Sequence, residues 1–190
     1  MLRLSPLETH EVGKELQELL ERGRPCFEGI PNFLKILAKS PAAALAYAQA
    51  EGALAQGRLS GRQREQIALA VAEINGSKYC LQAHSVTGRN AGLTGEEIQS
   101  ARRAAAPEAR ADQMLRFTQS MVLQRGELSD EDLGALRKAG FSDAEVIEIV
   151  ANIALNVFTN YLNILSKTEV DFPALADSQP PPLQPAPAPA

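Results

Sequence analysis

Apolar positions recur along this chain at intervals of three and four, with polar residues filling the gaps. In GRQREQIALAVAEIN, residues 61–75, Ile67, Ala68, Ala70, Val71 and Ile74 form a broad stripe, the pattern of a helix that is largely buried. Alternation at period two is scarce, so no strands are expected. The pattern predicts helices near 8–22, 31–39, 41–56, 61–75, 78–91, 95–105, 108–125, 130–138 and 143–167. Their starts are marked locally. Ser60 precedes Gln63, Thr94 precedes Glu97 and Ser142 precedes Glu145, each a hydroxyl and a reciprocating side chain three residues apart. Ser129 with Asp132 is a shorter version. Pro31, Pro41 and Pro107 fall where first-turn prolines are tolerated. Gly57, Gly76, Gly92, Gly126 and Gly140 fall near predicted helix ends. Short connections imply antiparallel neighbours, so the expected fold class is all-α, built on helical hairpins. Gly-x-Leu-Ser stands before two of these helices, which is the common grammar of helix starts and implies no solenoid.

One domain is expected over residues 1–172. The remainder, 173–190 (PALADSQPPPLQPAPAPA), holds seven of the twelve prolines and reads as a disordered or polyproline tail. A chain of 190 residues with 45% hydrophobic and 22% charged residues can bury one sizeable core. A net charge of −4 without a Lys/Arg run argues against nucleic acid as a partner. No uninterrupted apolar stretch reaches about 18 residues, so no membrane span is expected. The N-terminus lacks the apolar region of a secretory signal, and a reducing cytoplasm is the expected compartment. Two cysteines do not make a disulfide scaffold. With no glycine-rich phosphate loop and no His/Cys cluster, neither cofactor nor metal is expected.

The chemistry gathers in SKYCLQAH, residues 77–84. Cys80 and His84 are one helical turn apart and so share a face. Asn75-Gly76 ends the preceding helix, which makes a tight hairpin with Ser77 as the expected N-cap, its hydroxyl accepting from the N–H of Tyr79 or Cys80. Cys80 then lies in the first turn, where free N–H groups and the helix dipole favour a thiolate. Two carboxylates could orient His84. Glu73 is near the turn; Glu65 lies roughly 16 Å from it and His84 roughly 12 Å, by helical rise. The alternative is a small buried cysteine and a core histidine with no chemistry.

Residues 59–85, LSGRQREQIALAVAEINGSKYCLQAHS, resemble the alkyl hydroperoxidase D / carboxymuconolactone decarboxylase family, whose pattern is an upstream Glu followed by Asn-x-Cys-x-Tyr-Cys-x-x-x-His. GIPNFLKILAKSP upstream and AGFSDAEVIEIVANIALNVFTNYLNILSKTEVDFP downstream resemble its peroxidase-related branch. The resemblance implies an alkyl hydroperoxidase D-like helical bundle that assembles as a homo-oligomer, a trimer or hexamer. It implies that Glu65 is the relay acid, Cys80 the peroxide-attacking thiol and His84 the relay histidine. Ser77 stands where the family has its second cysteine, so the two-cysteine cycle cannot run here. Three readings follow. Cys80 is a one-cysteine peroxidase served by an external thiol reductant, or by Cys26. Glu65 and His84 carry decarboxylase-type proton transfer on a carboxylated substrate. Or the site is silent.

Asn152, Asn156, Asn160 and Asn163 are spaced by four, four and three and fall on one stripe of the last helix. Buried amides need partners, and the stripe is expected to line a pocket or a subunit interface. Ser77, Tyr79, Asn156 and Asn160 are the expected substrate-binding residues. Phe158 and Tyr161 are expected to help wall an apolar cavity.

Overall fold

A computed structural model describes residues 3–14 and 29–172 of the chain. Among them are one 3-10 turn, Thr9–Glu11, and eight α-helices, with no strand. The helices are α1 (Asn32–Leu37), α2 (Pro41–Ala55), α3 (Gly61–Asn75), α4 (Lys78–Asn90), α5 (Gly95–Arg102), α6 (Ala109–Leu123), α7 (Asp130–Lys138) and α8 (Asp143–Ser166). Of the helix expected at 8–22, the described part holds the 3-10 turn Thr9–Glu11 and a helical residue at Lys14. Its remainder, like the tail at 173–190 and Cys26, lies outside the described residues.

Local sequence sets the boundaries. The pairs Ser60/Gln63, Thr94/Glu97, Ser129/Asp132 and Ser142/Glu145 all close as reciprocal capping boxes. Pro41 opens α2 in its first turn behind Ser40, whose hydroxyl accepts from the N–H of Ala43. The other two prolines sit earlier than expected. Pro31 is itself the N-cap of α1, and Pro107 precedes the N-cap of α6, Glu108.

α3 is the axis of the molecule: α4, α5, α6 and α8 all pack on it. Its residues 66–72 are buried without a break. One apolar cluster joins it to α5–α8 around Ile67, Leu69, Met114, Leu115, Leu136 and Ile149. Truncating any of these to alanine costs about 2–5 kcal/mol. The second cluster joins α1 and α2 to the start of α4 around Phe33, Leu34, Leu37, Tyr47, Tyr79 and Cys80.

α8 departs from expectation in two ways. By length and composition it could cross a membrane, although no unbroken apolar run of that length exists in the sequence. Its contacts with α2, α3, α4 and α6 make it a core helix of this fold. Its inward face mixes amides with apolar Ile149 and Ile153, and its outward face is largely apolar. Asn152, Asn160 and Asn163 are buried, while Ile147, Val150, Phe158, Tyr161, Ile164 and Leu165 are exposed. Phe158 and Tyr161 therefore do not wall a cavity; they lie on the outward face.

Candidate functional site

The α3–α4 hairpin builds the site. Gly76 takes a left-handed conformation (φ 70°), open to glycine at no steric cost, and the N–H of Ser77 bonds back to the carbonyl of Ala72 at 2.9 Å. The chain reverses within two residues, and α4 starts at once with Cys80 in its third position. Ser77 is the N-cap, but at φ −82°, ψ 91° its hydroxyl makes no capping bond, contrary to expectation. It is instead buried without a hydrogen-bond partner.

The reversal brings Glu65 of α3 against His84 of α4. Oε2 of Glu65 lies 2.9 Å from Nδ1 of His84. A carboxylate can only accept, so Nδ1 carries the hydrogen and Nε2 is left as the acceptor of the ring. Thr87, one turn beyond, donates its hydroxyl to the same carboxylate oxygen at 2.5 Å. The two side chains of the pair are about one-fifth exposed, 20% for His84 and 21% for Glu65. Glu73, the other carboxylate considered for His84, is bound to Arg102 at 2.6 Å. Gly88 is buried on α4 facing this contact: a Cβ there would lie in ordinary contact with Cβ of Glu65 at 3.8 Å and tightly against Cδ1 of Leu93 at 3.1 Å.

Cys80, His84 and Glu65 line a cavity of about 480 Å³, within the ordinary size range for small-molecule sites. α1 and α2 contribute Phe33, Tyr47 and Leu54, and α8 contributes Asn152, Asn156 and Asn163. Cys80 is 3% exposed, and Nδ2 of Asn163 lies 3.2 Å from its sulfur. Of the remaining expected residues, Tyr79 and Asn156 line the cavity, whereas Ser77 and Asn160 do not. Asn160 is fully buried and accepts from Nδ2 of Asn75 at 3.0 Å.

The Tyr79 hydroxyl is already bonded on both sides. It donates to Oδ1 of Asp171 at 2.8 Å and accepts from the N–H of Phe33 at 3.3 Å. Burial, with the Asp171 carboxylate adding to it, holds this phenol above the usual tyrosine range. Oδ2 of Asp171 also accepts from the N–H of Asn32, closing the first turn of α1, where Pro31 has no side chain to do so. Thr87, Asp171 and the sulfur contact of Asn163 are what sequence reasoning missed. Thr87 has a signal, since it lies three residues after His84 on the same face. Asp171 has none: it is 92 residues from Tyr79.

The carboxymuconolactone decarboxylase family matches the chain over residues 40–120, which include Glu65, Cys80 and His84. No protein of curated function matches it. Among solved structures, an uncharacterized peroxidase-related protein from Silicibacter sp. TM1040 is 25% identical; the match covers 88% of this chain and 92% of that one, with a TM-score of 0.76. An alkylhydroperoxidase AhpD core protein from Ralstonia eutropha JMP134 is 22% identical over 90% of this chain and 94% of its own, with a TM-score of 0.79. The debrominase Bmp8, solved with 2,3,4-tribromopyrrole, is 18% identical over 90% and 92%, with a TM-score of 0.78. The last two establish the shared fold.

Proposed function

The chain carries a carboxymuconolactone decarboxylase family domain over residues 40–120, and from that premise we propose that it is a one-cysteine peroxidase acting on hydrogen peroxide or alkyl hydroperoxides. The observation that carries this reading is Cys80 on the wall of a cavity shared with His84, whose ring is held by Glu65. Nε2 of His84 takes the thiol proton of Cys80, and the thiolate attacks the hydroxyl oxygen of the peroxide. An S–O bond forms, the O–O bond breaks, and the departing alkoxide takes the proton back from Nε2, while Glu65 holds Nδ1. Cys80 is left as a sulfenic acid. Ser77 cannot condense with it, so a low-molecular-weight thiol reduces it in two steps, releasing water and then a disulfide of that thiol.

Peroxide added to the purified protein should raise its intact mass by one oxygen at Cys80. Cys80→Ala should abolish both that gain and thiol-dependent peroxide consumption, and His84→Gln should slow consumption about 100-fold. Undiminished consumption by Cys80→Ala would overturn the proposal. The second reading is lyase chemistry, favoured by one specific feature: the Glu65–His84 pair reaches the cavity independently of the cysteine. Its signature would be turnover of a carboxylated lactone, unaffected by loss of the thiol.

The same reading extends to assembly. On α8, Ile147, Val150, Ala154, Val157, Tyr161 and Ile164 follow spacings of three and four, the period of a helix seam. Ile147, Val150, Tyr161 and Ile164 are exposed, while Val157 is partly buried against the core. The helix begins at Asp143, which is exposed, and is followed by exposed Lys167. A second copy laid antiparallel would cover the stripe with the helix dipoles opposed. Such a twofold contact belongs to a hexamer rather than to a bare trimer.

A further inference from the structure

Among the described residues, three buried side-chain atoms lack a hydrogen-bond partner: Oγ of Ser77, Nδ2 of Asn160 and Oδ1 of Asn163. Buried polar atoms left unpaired are costly and rare, and these three are not scattered. Asn160 and Asn163 are three residues apart on α8. The first holds Asn75 and the second reaches the sulfur of Cys80. Ser77 lies between Asn75 and Cys80 in the hairpin turn. Ser77 is the N-cap of α4 and Cys80 its third residue, and α8, which carries both amides, packs on that helix. Ser77 and Asn163 are 1% and 4% exposed, which leaves little solvent to satisfy them.

We infer that Asn163 is a further catalytic residue, one that holds the sulfur of Cys80 before and after oxidation with Ser77 as its partner. In the reduced site the amide N–H donates to the sulfur, a bond that strengthens when the sulfur is a thiolate. Attack on the peroxide converts S⁻ to S–O–H, with the O–O bond broken and the alkoxide protonated as above. The new O–H needs an acceptor and its oxygen can take a donor. Oδ1 of Asn163 is a vacant acceptor and the Ser77 hydroxyl a vacant donor. The serine that removes the second thiol thus supplies a ligand for the oxidised first one. The oxidation step rests on the peroxidase reading; the contact of the amide with the sulfur does not.

The test separates the two. Alkylation of Cys80 by iodoacetamide, followed by intact mass, needs no peroxide. Asn163→Leu, which keeps the shape, should slow it about tenfold at neutral pH, with the difference vanishing in strong alkali where every thiol is ionised. Asn163→Asp, which sets a carboxylate against the sulfur, should slow it further. A wild-type alkylation rate in folded Asn163→Leu overturns the inference, and if circular dichroism shows that variant unfolded, Asn163→Asp decides by the same criterion. After a peroxide pulse, Ser77→Ala should shift the product from one added oxygen to two, because the sulfenic acid is no longer held. An unchanged product overturns the role of Ser77. If no variant gains oxygen while the alkylation order holds, the peroxidase reading fails and the assignment of Asn163 stands.

Discussion

Tyr79 adjoins Cys80 in sequence, yet its hydroxyl belongs to the scaffold: it links the N–H of Phe33 to the carboxylate of Asp171. Tyr79→Phe leaves both without that partner, a loss of about 1–3 kcal/mol. The melting temperature should fall by several degrees, about 2–4 °C for each kcal/mol in a chain of this size. A drop in peroxide affinity with unchanged stability would instead return Tyr79 to substrate binding, the role its place in the motif suggested. Residue identity was legible at this scale where geometry is local. Glu65 and His84 meet because a hairpin of known rise leaves only a few ångströms between them. Ser77 was misread: its N–H is tied to Ala72 across Gly76, and at φ −82°, ψ 91° its hydroxyl makes no capping bond.

Helix boundaries were legible because capping is chemistry over three residues, and all four hydroxyl–acid or hydroxyl–amide pairs closed as read. Glu145, in the box that opens α8, offers a check. Bonding to the Ser142 backbone, then to the Ser142 hydroxyl and to Arg110, lowers its pKa to about 2 from an ordinary 4.5, against the opposing effect of burial. Because the folded value is depressed, the stabilisation is complete above pH 4.5 and is lost as pH falls towards about 2. Glu145→Gln should therefore melt lower than the wild type by a few degrees at neutral pH, for a capping loss of about 1 kcal/mol. That gap should close across the acid window; a gap independent of pH would refute the assignment. The amide stripe of α8 was expected to line a pocket, and Asn152, Asn156 and Asn163 do line the cavity; that an apolar stripe of the same helix faces outward was not legible. Its amide stripe and one of its apolar stripes lie on opposite sides of the helix, and periodicity gives stripes without saying which side the core takes. Packing on α3 and α4 decided it: Asn152, Asn160 and Asn163 went in and Tyr161 went out.

At the scale of the whole molecule, the family-like core carries the cavity, while contacts far apart in sequence complete it. Asp171, beyond α8, ties the end of the described chain to α1 and to Tyr79, a link that no local pattern could announce. The exposed seam of α8 sets the prediction at this scale. Tyr161→Lys should lower the mass seen in sedimentation by disrupting the proposed twofold contact, with the helical content unchanged. A mass equal to the wild type's would place any interface elsewhere. Gly88 bears on how such chains are recognised. It gives the Glu65–His84 pair no atom, only room, since a side chain there meets Leu93 and Glu65. A protein could spell every letter of the signature, glutamate, cysteine and histidine at the right intervals, and still hold acid and ring apart through a bulkier residue at that one silent position. Membership would survive in such a chain while the proton path did not.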